Sequence, residues 1–133
     1  MRTVLDASAF LAYLKDERGS EAVADAIASG AVISAANLAE VLSRVAAHGA
    51  DPVRFLRRLT ERGLIDGAVD VEPLTTADAA EIARLRPLTK EAGLSLGDQA
   101  CVALALRLGQ PALTADRAWD GLDLGVELRQ IRG

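Results

Sequence analysis

Four carboxylates occupy positions where a solvated surface acid is unusual. Asp6 and Asp116 each follow a short apolar run that is typical of a buried strand, whereas Glu40 and Asp98 lie within helical patterns rich in Ala, Val and Leu. If the fold brings them together, the four form a cage of hard oxygen ligands for a divalent cation such as Mg²⁺. A cation held in this way can activate water for attack on a phosphate ester.

A cluster of buried acids requires a ligand. Burial of an unpaired carboxylate is costly, and like charges nearby raise the cost until a cation neutralises them. No serine–histidine–aspartate arrangement competes with this chemistry. The one histidine, His48, lies at the polar end of a helix, where a cation complements the helix dipole.

Three polar residues flank the acids. Ser8 and Thr114 each lie two positions from an aspartate of the cluster and can hold a carboxylate or a metal-bound water; local turn bonding is the alternative. Asn37 lies one helical turn before Glu40 and can contact metal-bound water or substrate, with bonding at the helix start as the alternative.

Each acid also fits a structural role. Asp6 and Asp116 can cap the short helix or turn that follows each of them. Glu40 can form a surface ion pair with Arg44, which lies four residues further along the helix. Asp98 lies in the first turn of its helix, where a negative charge interacts favourably with the helix dipole. Their mutual placement is what favours the catalytic interpretation.

Strand and helix patterns alternate along the chain. Strands are predicted at residues 3–5, 31–33, 68–71 and 112–114, with an edge strand at 126–131. Helices are predicted at residues 8–14, 20–28, 34–47, 52–63, 75–87 with a short piece to 92, and 96–108. This order predicts an α/β fold with a mostly parallel central sheet flanked by helices on both sides. In such a sheet, functional groups collect at the carboxyl ends of the strands.

Local signals predict most helix ends. The predicted N-caps are Ser20, Ser34 and Asp51, and the predicted stops are Gly30, Gly63 and Gly109. Pro87 is predicted to interrupt or kink its helix, because proline has no amide hydrogen. The helices between residues 51 and 92 are predicted to form a hairpin beside the sheet.

Composition narrows the class of protein. The chain has 133 residues, half of them hydrophobic, so we expect one domain over residues 1–133. Its net charge of −4 argues against nonspecific binding of nucleic acid by a basic surface. The single cysteine, Cys101, falls at an apolar helix position and is predicted to pack in the core. No secretory signal or membrane span is recognisable, which predicts a cytoplasmic protein.

Four segments together resemble the PIN-domain nucleases, especially the VapC-type toxins of bacterial toxin–antitoxin pairs. They are VLDASAFLA at 4–12, NLAEV at 37–41, LGD at 96–98 with its alanine-rich helix, and LTADRAW at 113–119. The resemblance implies a PIN-like domain with Mg²⁺-dependent endoribonuclease activity, for which Mn²⁺ can substitute. It also implies a type II toxin inhibited by a small cognate antitoxin, and a homodimer.

The resemblance also assigns residues. The implied catalytic acids are Asp6, Glu40, Asp98 and Asp116. The implied metal ligands are Asp6, Asp98 and Asp116. The matching supporting positions are Ser8, Asn37 and Thr114.

Contacts with RNA are predicted from position alone. Arg117 follows the last acid and is a candidate phosphate contact, and Trp119 can stack on a base or pack in the core. Arg54, Arg58 and Arg62 share a helical face that can track RNA or simply face solvent.

Two other interpretations remain open. One is a degenerate PIN-like module that binds a protein partner without catalysis. The other is a phosphorelay receiver domain, which also places acids at strand ends around Mg²⁺. A receiver needs a lysine after a late strand, and neither Lys15 nor Lys90 follows one.

Overall fold

Strands and helices alternate along the chain in the computed structural model, which describes residues 2–133. The strands are β1 (Thr3–Leu5), β2 (Ala31–Ser34), β3 (Val69–Glu72), β4 (Ala112–Thr114) and β5 (Leu128–Gln130). The helices are α1 (Ala7–Leu14), α2 (Ser20–Ser29), α3 (Ala35–Ala47), α4 (Pro52–Glu61), α5 (Thr76–Thr89) and α6 (Leu96–Leu108). A 3-10 turn at Arg117–Trp119 follows β4.

The five strands form one sheet in the order β3-β2-β1-β4-β5, and all neighbouring strands are parallel. The chain moves outward from β1 to β3 and then returns to β4 on the other side of β1. The strand order therefore reverses between β1 and β4, which is where ligands bind in open α/β sheets. The predicted α/β fold is confirmed, and the last strand lies at the sheet edge as expected.

Helices cover both faces of the sheet, because alternate strand residues point to opposite sides. Leu5 and Ile33 pack with side chains of α1 to α4, whereas Val4 and Val32 pack with α5 and α6. Cys101 is buried in the second of these cores, as predicted.

The central helices do not form the predicted hairpin. α4 packs against α3, and α5 packs against α6, with β3 between them in the chain. Leu59 of α4 and Leu85 of α5 belong to the cores on opposite faces of the sheet. The crossover from β3 to β4 passes over the second face, which separates the two helices.

Two local predictions were also wrong. α5 continues through Pro87 to Thr89, and residues 90–93 form turns rather than a helical piece. In this last turn the Thr89 hydroxyl donates to the carbonyl of Leu85 at 2.9 Å. Ser20 is not an N-cap: Gly19 holds that position with a φ of 95°, and the Ser20 hydroxyl donates to Asp16.

Over residues 2–133, no helix has both the length and the apolar character to cross a membrane.

Candidate active site

All four predicted acids line one cavity of about 440 Å³ at the carboxyl end of the sheet. Asp6 directly follows β1, and Asp116 lies two residues beyond β4. Because β1 and β4 are neighbours, these two aspartates emerge side by side. α3 brings Glu40 to the cavity, and the first turn of α6 brings Asp98.

Asp6 is the buried centre of this arrangement, with 2% of its surface exposed. Its Oδ1 accepts a hydrogen bond from the backbone N–H of Ala9 at 2.7 Å, which caps α1. The Ser8 hydroxyl donates to Oδ1 at 2.8 Å, and the Thr114 hydroxyl donates to Oδ2 at 2.5 Å. Asp6 is therefore held by three donors from two elements.

The same hydroxyls also fix the end of β4. Ser8 Oγ accepts from the N–H of Ala115 at 2.9 Å, and Thr114 Oγ1 accepts from the N–H of Asp116 at 3.0 Å. Each hydroxyl thus joins the Asp6 carboxylate to the backbone that carries Asp116. The sequence offered local turn bonding and contact with a carboxylate as alternatives for Ser8 and Thr114, and each hydroxyl makes both kinds of bond.

Burial raises the pKa of Asp6 to about 6, and the charge of Asp98 adds to the rise although the donors of Ser8, Ala9 and Thr114 oppose it. Burial also raises the pKa of Asp98, with a contribution from the charge of Asp116. The carboxylates are therefore close enough to repel one another, and a cation among them would relieve that repulsion.

Asp98 and Asp116 also serve as local caps. Asp98 completes a capping box with Ser95: its Oδ2 accepts from the Ser95 N–H at 2.9 Å, and its own N–H donates to Ser95 Oγ. Asp116 Oδ1 accepts from the N–H of Ala118 at 2.9 Å. Each cap uses one carboxylate oxygen, and the second remains available to a ligand.

Glu40 is oriented by a neighbour on its own helix. Its Oε1 accepts from Nδ2 of Asn37 at 2.8 Å. The predicted ion pair with Arg44 is absent from the salt bridges among residues 2–133. Arg44 instead lines the same cavity one helical turn beyond Glu40.

The set of donors fits a hard divalent cation. The four acids present only oxygen atoms, and burial together with the charges of Asp6, Asp98 and Glu40 raises the pKa of the Cys101 thiol beneath them. Within the described chain, no three His, Cys, Asp or Glu side chains are close enough to enclose a metal ion on their own. Mg²⁺ suits such an open arrangement, because it keeps several waters and takes only one or two carboxylates.

Several cavity residues escaped the sequence analysis. Lys15, Arg44 and Arg132 bring positive charge to the lining. The spacing of Arg44 from Glu40 was a usable signal, because residues four apart share a helix face. Arg132 carried no signal in the sequence; its position depends on β5 pairing with β4.

The structure does not bring Arg117 into the cavity. Its guanidinium donates to Asp120 and to the carbonyl of Arg132, and it lines a neighbouring depression. Trp119 is 1% exposed in the core, so it packs there and does not stack on a base.

The arginines of α4 also lie away from the cavity. Arg54, Arg58 and Arg62 are all exposed to solvent, and none of them is among the residues that line it.

Comparison with known proteins identifies the fold family. A family model described as the PIN domain matches residues 3–124. A search of curated proteins returns no match.

Solved structures of similar fold include a toxin–antitoxin complex, a VapBC protein and FitAcB. FitAcB from Neisseria gonorrhoeae is 19% identical with a TM-score of 0.74, and 97% of each chain is covered. DNA-bound VapBC from Salmonella typhimurium is 17% identical with a TM-score of 0.72 and 98% of each chain covered. A toxin–antitoxin complex from Klebsiella pneumoniae is 14% identical with a TM-score of 0.69 and 97% of each chain covered. At these identities the likeness concerns the fold.

Proposed function

The chain belongs to the PIN-domain family, and we propose that it is a divalent-metal-dependent endoribonuclease that acts as the toxin of a toxin–antitoxin pair. The observation that supports this most is the convergence of Asp6, Glu40, Asp98 and Asp116 on one cavity at the point where the strand order reverses. An acid cluster at that position suits metal-assisted attack on a phosphodiester.

In this proposal Mg²⁺, for which Mn²⁺ can substitute, would be held among Asp6, Asp98 and Asp116, directly by one or two of these carboxylates and otherwise through its own water. The bound cation supplies Lewis-acid chemistry: it polarises a phosphoryl oxygen and lowers the pKa of a coordinated water. Ser8 and Thr114 keep the Asp6 carboxylate oriented by the hydrogen bonds they donate to it.

Glu40 accepts the proton of the attacking water. Its side chain is half-buried, lines the cavity from α3 and is fixed by Asn37. A proton acceptor held in this way orients the water for attack in line with the leaving oxygen.

RNA phosphates are bound by the basic residues of the cavity lining. Lys15, Arg44 and Arg132 line the cavity together with the acids, although Arg132 also forms a salt bridge with Glu17 at 3.4 Å. Arg44 makes no salt bridge within residues 2–133, which leaves its guanidinium available for a phosphate. These residues take the place predicted for Arg117.

The proposed protein partners are a small antitoxin and a second copy of the chain. The VapBC and FitAB names of the similar structures support an antitoxin. The described surface also exposes large apolar side chains of the kind that interfaces bury, among them Val53, Leu74 and Leu88.

The alternative functions have less support. A receiver of the CheY type has the strand order 2-1-3-4-5, which differs from the order 3-2-1-4-5 found here. Helix capping accounts for Asp6, Asp98 and Asp116 one at a time, but a binding module without catalysis does not account for the convergence of these acids and Glu40 on one cavity.

Expression in bacteria tests the toxin role. Induction of the chain should arrest growth, and Asp98→Asn should abolish the arrest because it removes one metal ligand. Co-expression of the cognate antitoxin that this proposal requires should also relieve the arrest. Continued growth with the wild-type chain present in soluble form would contradict the toxin role.

A further inference from the structure

The space that Glu40 occupies exists only because residue 97 is a glycine. Gly97 lies in the first turn of α6, immediately before Asp98. A Cβ atom at this position would stand 2.1 Å from Oε1 of Glu40 and 2.5 Å from its Cδ. Atoms do not approach so closely, so any side chain at residue 97 would displace the Glu40 carboxylate.

Asn37 holds that carboxylate from the other side. Its Nδ2 donates to Oε1 of Glu40 at 2.8 Å and to the carbonyl oxygen of Gly97 at 2.9 Å. Because both acceptors are oxygen atoms, the side-chain atom of Asn37 that faces them must be the NH₂ nitrogen and not the carbonyl oxygen. The three residues thus join α3 to the first turn of α6.

A contribution to the stability of the fold does not explain the asparagine at residue 37. It is fully buried, and its Oδ1 has no hydrogen-bond partner among residues 2–133. A buried acceptor without a partner is destabilising. The two bonds that Nδ2 donates, both directed at the place where Glu40 meets α6, account better for an asparagine here.

We propose that Gly97 and Asn37 are positioning residues, which hold the Glu40 carboxylate against the first turn of α6 in its reactive orientation. The inference rests on the proposed nuclease function. A free glutamate side chain samples many rotamers, whereas this one is confined between a glycine and an amide. The N-terminus of α6 also favours negative charge at this position.

Gly97→Ala is the direct test. The variant should fold, because the displaced atoms are the flexible end of Glu40 and alanine favours a helix over glycine. We expect kcat for RNA cleavage to fall about 100-fold with little change in KM, as for a misplaced reacting group. The melting temperature should be equal to or higher than that of the wild type. A crystal structure of the variant should show Glu40 displaced and its bond to Asn37 lost.

Leu96→Ala is the matched control. Leu96 lies in the same turn, is 71% exposed and does not line the cavity. This variant should cut RNA at the wild-type rate. Asn37→Leu, which keeps the number of side-chain heavy atoms and removes the amide, should lower kcat as Gly97→Ala does.

The Glu40→Asp background separates positioning from general damage. Aspartate is one methylene shorter, so its carboxylate no longer reaches the space above residue 97. Gly97→Ala should therefore have little further effect in that background. An equal loss in both backgrounds, or a Gly97→Ala enzyme with the wild-type kcat, would overturn the inference. A wild-type chain that cuts no RNA would overturn the proposed function instead.

Discussion

At the scale of single residues, structural and functional roles coincide at the same carboxylates. Asp6, Asp98 and Asp116 each accept a capping hydrogen bond from a nearby backbone N–H and also line the cavity. A carboxylate has two oxygens with several lone pairs, so a single capping bond leaves Asp98 and Asp116 room for a ligand, whereas Asp6 also accepts from the hydroxyls of Ser8 and Thr114. From sequence the two roles looked like alternatives, because the spacing that makes a cap is the same whether or not a metal is present.

Asp6→Asn should stabilise the metal-free protein at pH 7.5 and abolish RNA cleavage. The folded pKa of Asp6 is about 6, against roughly 3.9 in an unfolded chain. The folded state therefore binds more protons between about pH 4 and 6, and the free energy of unfolding falls as pH rises through that window, by roughly 3 kcal/mol. Asparagine removes the ionisable group and keeps an acceptor for the Ala9 N–H.

Unfolding by urea from pH 4 to 8, in the presence of chelator, measures this effect. The wild type should lose stability between pH 4 and 6, and the variant should show a flatter profile. A less stable Asp6→Asn protein with the wild-type pH profile would contradict the account of Asp6.

Thr114→Val should weaken both metal binding and cleavage, each by about 10- to 100-fold. The substitution keeps the shape and removes the hydroxyl that donates to Asp6 and accepts from the Asp116 N–H. Calorimetry with Mn²⁺ measures the affinity. Thr3→Val is the control, because Thr3 is another buried strand threonine and lies outside the cavity. Unchanged Mn²⁺ affinity in Thr114→Val would show that the hydroxyl does not support the site.

At the scale of elements, the capping boxes at the starts of α5 and α6 have different roles. Asp98 in α6 and Asp78 in α5 both occupy the third helical position of such a box. Asp98 faces the cavity, whereas Asp78 is 3% exposed and receives hydrogen bonds from Arg107 of α6 at 3.0 and 3.2 Å. Burial opposes ionisation of Asp78, but the bonds from Arg107 and Thr75 outweigh it and lower its pKa.

Asp78→Asn should therefore destabilise the fold and leave catalysis intact, the opposite of Asp98→Asn. Loss of the charge leaves Arg107 without its main partner; its side chain is 30% exposed, so the expected cost is about 2 kcal/mol. Because the pKa of Asp78 is lowered by folding, this stability is present at neutral pH and is lost as pH falls toward its folded pKa. The melting temperature and the rate of RNA cleavage, measured on the same preparation, separate the effect on stability from the effect on catalysis. An Asp78→Asn protein of full stability would contradict this assignment.

Element order was predictable from the sequence, and close approaches between elements were not. Alternating strand and helix patterns with glycine stops predict the sheet, and Asp6 and Asp116 fall at strand ends by that reading alone. The contact between Glu40 and Gly97 joins two helices that are distant in sequence, and no local pattern encodes it. The continuation of α5 through Pro87 is likewise not encoded by the local pattern, because proline favours a break in a helix.

At the scale of the whole molecule, the path of the chain assembles the cavity. Two outward crossovers and one return place β1 beside β4, so acids from the start and the end of the sequence meet. β5 then adds Arg132 to the rim beside Lys15 and Arg44. An acidic protein thus has a cavity that is lined by both carboxylates and cationic side chains, and this arrangement suits a cation and a phosphate together.

Metal-dependent cleavage of RNA is the central claim, and one measurement tests it most directly. The purified chain is incubated with a mixed RNA substrate in Mg²⁺, in Mn²⁺ and in chelator, beside Asp98→Asn and Asp78→Asn purified identically. Asparagine at residue 98 can still accept the capping bond from the Ser95 N–H, so loss of activity would not reflect loss of the helix start. The account predicts cutting in either metal by the wild type and Asp78→Asn, and none in chelator or by Asp98→Asn. Cutting that persists in chelator, or that Asp98→Asn retains in full, would contradict it.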